Sequence, residues 1–213
     1  MADSKKYKVK RIPKRAIYDL AEIYPILDQN FITHVGFVHQ GYPVVIPTMY
    51  GRHEDSIYIH GASVSRLITD LEKDIAISAS IAKVNGIVLA RSLFNHSMNY
   101  ESVVIFGKGT LVPDDKKEWA LKIISDQVLP GRWEKARLPS PKELKATKVI
   151  RIEIEDVSAK RREGPPEDEK ADYELDVWAG VLPLSHEFGE PTPDPLLDKK
   201  IPICSSIVRY SNK

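Results

Sequence analysis

The chain has 213 residues, 31 Lys plus Arg against 30 Asp plus Glu, and one cysteine. The length suits a single domain with a substantial core, and a formal charge of +1 supplies no field to attract nucleic acid or an anionic membrane. No run approaches the roughly 18 apolar residues of a spanning helix, the start Met1-Ala2-Asp3-Ser4 has no apolar targeting segment, and Cys204 has no partner for an internal disulfide, so a soluble protein of a reducing, cytoplasmic compartment with a structural Cys204 is expected.

In chain order, residues 1–11 are polar and basic and read as a flexible arm, and residues 12–213 as one domain. Residues 16–23 repeat apolar side chains at helical spacing and predict a first helix. The β-branched and aromatic run 31–38, the turn Gly41-Tyr42-Pro43 and the run 44–50 predict a hairpin. A strand at 57–60, a helix at 65–72, a half-buried strand at 75–81 and a short partner at 87–90 follow. Residues 100–111 form a long strand whose Gly107 and Gly109 predict a bulge or sharp bend. Asp114 starts a helix ending before Pro130-Gly131, and Ile150, Ile152 and Ile154 alternate with Arg151, Glu153 and Glu155 in a strand with one dry face. The charged, Pro/Gly-broken segment near 160–171 predicts a mobile loop, and the proline-rich stretch 191–195 an extended tail over the surface or a partner subunit. Six or more strands without βαβ alternation predict a mainly β (α+β) fold, an antiparallel six-stranded barrel with peripheral helices.

The stretch 57–66 is the chemically informative one: a short apolar strand runs into Gly61, then Ser63, Ser65 and Arg66 where a helix begins. Glycine permits close backbone approach, the serines offer hydroxyl donors, and the guanidinium can grip a phosphate through two hydrogen bonds. The same serines are equally suited to capping the helix. No two histidines have metal-ligand spacing on a helix, and one cysteine cannot build a zinc motif.

Taken together, 43–50, 57–62, 63–66, 99–107 and 178–183 resemble, in order and spacing, the flavin-nucleotide-binding branch of the pyridoxamine 5'-phosphate oxidase-like family. The resemblance spans roughly residues 12–195 and implies an FMN-binding split β-barrel, a homodimer whose flavin sites form at the subunit interface. It implies that the backbone of Val45, Ile46, Pro47 and Thr48 lies along the flavin ring edge, that His60 and Gly61 stand beside the ribityl chain, and that Ser63, Ser65 and Arg66 hold the phosphate. Ser102 falls where a polar side chain meets the flavin, and Trp178 where an aromatic arrives from the partner subunit. His60 reads as a flavin or substrate contact or as a structural hydrogen-bond partner; His96 reads as a border of the site or as a solvated loop residue; His34 and His39 read as strand residues without chemistry.

Basic residues that the naming oxidase uses for its substrate and for FMN are replaced here by Thr48, Pro43 and Gly180-Val181-Leu182-Pro183. Oxidation of pyridoxamine phosphate is therefore not expected. The resemblance implies an FMN-dependent oxidoreductase acting on another small molecule, its redox chemistry carried by the flavin, so that no protein nucleophile or acid/base pair is needed. The alternative is a non-catalytic flavin- or haem-binding carrier on the same fold.

Overall fold

The computed structural model describes residues 7–211, and residues 1–6 of the expected arm lie outside them. The chain runs β1 (Ala16–Ile17), α1 (Leu20–Asp28), β2 (Ile32–His39), β3 (Tyr42–His53), β4 (Ser56–Ala62), α2 (Arg66–Leu71), β5 (Ala76–Leu89), β6 (Ser97–Leu111), α3 (Lys117–Val128), α4 (Pro141–Ala146), β7 (Thr147–Glu153), β8 (Asp156–Arg162), β9 (Gly180–Pro183) and α5 (Ser205–Ser211). No described helix is long and apolar enough to cross a membrane.

Six of the nine strands among the described residues close a circuit of antiparallel pairings, β6-β7-β4-β3-β2-β5 and back to β6. Two of its joints are short: β2 meets β5 only over His34–Gly36, and β6 meets β7 only over Gly109–Leu111. The strands alternate side chains as a half-buried sheet requires. Val35 and Phe37, Ile57 and Ile59, Ile77, Ala79 and Ile81, Val103 and Ile105, and Ile150 and Ile152 all point inward into one core. Ile23, Ile26 and Leu27 of α1 and Leu67, Ile68 and Leu71 of α2 join that core, and these helical stripes keep them packed on the barrel.

The opposite faces of β4 and β7 carry a second, smaller cluster in which Tyr58 and Val149 pack against Ala120 and Ile124 of α3. Gly51 makes this seating possible. A Cβ there would stand 2.6 Å from the Ile123 carbonyl oxygen, so the backbones of α3 and β3 touch directly. Gln127 then ties α3 to α1 by donating to the carbonyls of Leu27 (3.0 Å) and Asn30 (2.6 Å).

The structure corrects several boundaries. Asp19 caps α1 by accepting from Ala21 N–H at 2.9 Å, so the first helix starts at Leu20, and residues 16–17 instead form β1 against β8. The strands expected at 75–81 and 87–90 are one strand, β5, with a register shift between Val84 and Gly86. At Gly107 and Gly109 strand β6 changes partner from β8 to β7; the expected bend is a close approach, since a Cβ on Gly107 would lie 2.0 Å from the Glu153 carbonyl oxygen.

The segment expected to be a mobile loop from about 160 begins inside β8. Arg162 is buried and donates to Asn99 Oδ1 (2.5 Å) and to the carbonyls of Gly164 (3.1 Å) and Pro165 (3.0 Å). Asp168 follows as a pin, accepting from the N–H groups of Arg91 (3.0 Å) and Ser92 (3.3 Å) and from the Arg91 guanidinium (3.2 Å). Charge density suggested a solvated loop because composition does not reveal which charges find buried partners. The tail from residue 191 is irregular and ends in α5.

Candidate functional site at the split of the barrel

Strand β3 serves two partners, and the changeover creates an opening. Its hairpin with β2 turns through Gln40 and Gly41, both at positive φ (50° and 82°), so the turn is of the type that fits the twist of paired strands. A two-residue turn makes His39 and Tyr42 a hydrogen-bonded pair, and in an antiparallel ladder such pairs recur at every second residue. Residues 42, 44, 46 and 48 therefore bond to β2, as the Tyr50 N–H to Phe31 carbonyl bond of 3.0 Å confirms at the next step.

The peptide groups of Pro43, Val45, Pro47 and Met49 face the other edge. Strand β4 covers that edge only along Tyr50–His53 and then departs with β7. The two prolines remove no ladder bond there, which is why a strand can hold them. On this edge Val45 presents an N–H and a carbonyl between two proline carbonyls. Of the four residues expected to line a flavin, Val45 and Pro47 are exposed on the outer surface, Ile46 packs toward the core, and the Thr48 hydroxyl donates to the Met49 carbonyl (3.4 Å).

Across the opening lies the end of β4. Gly61 sits against α2, where a Cβ would be 3.0 Å from Ile68 Cγ1 and 3.3 Å from Ser65 Oγ. Ser65 takes the N-cap position of α2, with φ −71° and ψ 144°, yet its side chain accepts no hydrogen bond. The backbone supplies the order instead: Ser63 N–H donates to the Ala146 carbonyl (3.0 Å) and Ser65 N–H to the Ala62 carbonyl (2.9 Å). The choice between cap and anion seat left open by the sequence narrows here, because among the described residues neither serine hydroxyl is engaged and the exposed Arg66 makes no ion pair.

His60, one residue before Gly61, faces the opposite way. With Met49 it lines a cavity of about 600 Å³ walled by Leu121, Ile124, Val128, Leu129, Trp133 and Leu144, with Arg132, Arg137 and Glu143 among its polar groups. Its Nδ1 is buried without a partner, and burial pushes the imidazole pKa below the usual 6.5, keeping the ring neutral at pH 7.

Arg137 is already matched: its guanidinium donates to both Glu143 oxygens at 2.8 and 2.9 Å. The Arg137 hydrogen bond, helped by Ser140, holds the Glu143 carboxyl down to about 2. Arg132 makes no ion pair among the described residues; it lies beside Cys204, whose thiol pKa is lowered first by the Ser206 hydroxyl and then by Arg132.

Ser102 and Trp178 are not brought to this opening within one chain. Ser102 lies on β6 between Ala82 and Lys160, with β5 and β2 intervening before β3. Trp178 is 69% exposed and lies over Gly180, where β9 pairs with the far end of β5. His96 donates to the Ala90 carbonyl at 3.1 Å and holds its own loop, and His39 pairs with Asp70 at 2.5 Å. Among the described residues no group of His, Cys, Asp and Glu is placed to hold a metal ion by itself.

The cavity wall from α3 and α4 was not anticipated from sequence. A signal existed in Leu121, Ile124, Ser125 and Val128, which recur at helical spacing beside the stripe Ala120 and Ile124 that packs on the barrel.

None of the curated proteins matches the chain. Among solved structures, a flavocytochrome from Azotobacter vinelandii is 36% identical, with 97% of each chain covered and a TM-score of 0.92. A FAD and haem binding protein from Mycobacterium smegmatis is 31% identical, covering 92% of this chain and 97% of that one, with a TM-score of 0.89. A FAD-binding protein from Mesorhizobium loti shares the fold at 18% identity and a TM-score of 0.51, over 70% of this chain and 98% of its own. The family model for pyridoxamine 5'-phosphate oxidase matches residues 19–161, and the chain belongs to that family.

Proposed function

We propose that this chain is a flavin-binding redox protein of the flavocytochrome kind, pairing a flavin with a haem and working as a homodimer. The observation that carries the reading is the match over nearly the whole chain to two proteins named for flavin or FAD together with haem. The site is compatible with the flavin half of that pair. A flat ring with a polar rim needs an apolar surface bordered by backbone donors and acceptors, which the β3 edge at Val45 and its outer face at Val45 and Pro47 offer. A phosphate needs uncommitted hydroxyls and a free cation, which Ser63, Ser65 and Arg66 offer.

Those residues address the part common to FMN and FAD. FMN is the form implied by the family resemblance, while the FAD of the M. smegmatis relative favours the dinucleotide. When bound, the flavin supplies the hydride and electron chemistry; the chain's own residues orient it and limit water. A second subunit would cover the outer face, where Val38, Tyr42 and Val45 are 61%, 75% and 65% exposed, and would bring Ser102 and Trp178 to a shared site that one chain cannot complete.

The test is direct. Protein purified from cells and heat-denatured releases its flavin for chromatographic identification, and a yellow protein containing FAD or FMN is expected. Colourless protein that quenches neither flavin when added refutes the reading. Light scattering is expected to give twice the 24.1 kDa chain mass, and a monomer removes the shared site.

A further inference from the structure

Five of the six histidines have an evident place. His39 pairs with Asp70, His96 and His186 donate to the carbonyls of Ala90 and Val84, His53 packs edge-on to Trp119, and His34 is exposed on the barrel's outer face. His60 alone projects a largely buried ring into an apolar cavity, with Nδ1 buried and, among the described residues, no hydrogen bond to either ring nitrogen. An unpartnered polar group in such a position costs stability, so its presence calls for an occupant.

We infer that this cavity is the haem seat, with His60 as the axial ligand of the iron and Arg132 as the cation facing a propionate; the inference rests on the flavocytochrome reading above. Haem iron takes a neutral imidazole through a nitrogen lone pair, with no proton released if the ring is already uncharged. The remaining wall of leucine, isoleucine, valine and tryptophan suits a flat apolar macrocycle, and about 600 Å³ lies within the range of cofactor pockets. Arg132, which lies beside the Cys204 thiol, is the cavity cation not paired with a carboxylate among the described residues, whereas Arg137 is held by Glu143.

A flavin ring suits this cavity less well, since it asks for a row of edge donors and acceptors, and those lie on β3. Met49 borders both places: it ends the free edge of β3 and lines the cavity. Met49 continues the Tyr50–Ile59 register and so stands beside His60 on the same face of the sheet. Among the described residues that line the cavity, His60 is the only imidazole.

The experiment titrates cofactor-free, full-length protein with hemin and follows the Soret band. Wild type is expected to bind about one haem per chain. His60→Gly and His60→Gln should each weaken uptake at least about tenfold, a loss that metal sites show even for outer partners, and shift the Soret band; added imidazole should restore the band in His60→Gly. His96→Gln and His186→Gln should leave the spectrum unchanged. Independently of any histidine variant, hemin should quench the fluorescence of Trp133, and Trp133→Phe should abolish that part of the quenching. Wild-type spectra and affinity in both His60 variants, or quenching that survives Trp133→Phe in full, overturn the assignment while haem uptake itself persists. Failure of the wild type to take up hemin overturns the flavocytochrome reading and this inference together.

Discussion

The closed flank of the barrel and its split side treat polar groups in opposite ways. On the closed flank, β6 runs between β5 and β8, Arg162 spends its donors on Asn99, Gly164 and Pro165, and Asp168 accepts from three groups, the backbone N–H of Arg91 and of Ser92 and the Arg91 guanidinium. On the split side, the Val45 edge, the hydroxyls of Ser63 and Ser65, the Arg66 guanidinium and the His60 ring are left to whatever binds there. Of these groups His60 Nδ1 is the one buried without a partner, which destabilises a bare protein; all of them are useful to a protein that holds cofactors.

The largest break in this comparison comes from the closed flank. Gly107→Val places a side chain on the Glu153 carbonyl oxygen and is expected to cost about 3 kcal/mol or more in denaturant unfolding; a loss below about 1 kcal/mol would mean that the β6 crossing is loosely packed. Arg66→Ala, on the split side, is expected to leave stability nearly unchanged and to weaken flavin binding by about 1.5–3 kcal/mol, the range of a hydrogen bond to a charged group. Unaltered flavin affinity in a fluorescence titration takes Arg66 out of the site.

A finer cut is Val45→Pro, which removes the one N–H among residues 43, 45 and 47 of that edge. Since this edge makes no ladder bond, thermal unfolding should barely change, while flavin affinity falls by about 0.5–1.5 kcal/mol; a strongly destabilised variant would show that the edge is paired after all. The smallest effect is on pH dependence. The folded-state pKa of His60 lies below its usual 6.5 because of burial, so the unfolded chain binds more protons and stability falls as pH drops through the unfolded value. His60→Gln should flatten the stability profile of the cofactor-free protein between about pH 7 and 5, and an equally steep profile assigns the slope elsewhere.

Much of the fold was legible because period-two alternation in β2, β5, β6 and β7 depends only on local chain geometry, and Gly107 and Gly109 announced a bend. The seat at Gly61, Ser63, Ser65 and Arg66 was legible as a string of residue types. Strand β8 was hidden by its own charges, Lys160, Arg161 and Arg162, since a buried guanidinium looks in sequence like a solvated one.

By itself, then, the sequence determined the antiparallel barrel, the family resemblance and the residues suited to a phosphate. Tertiary structure decided which groups those residues would meet: that Ser65 does not cap, that β4 leaves β3 after Tyr50, that His60 turns away from Gly61 toward α3, and that Ser102 and Trp178 stand apart. The physical reason is that side-chain period and turn chemistry are local properties, whereas an unfilled hydrogen bond is the outcome of every strand and helix around it.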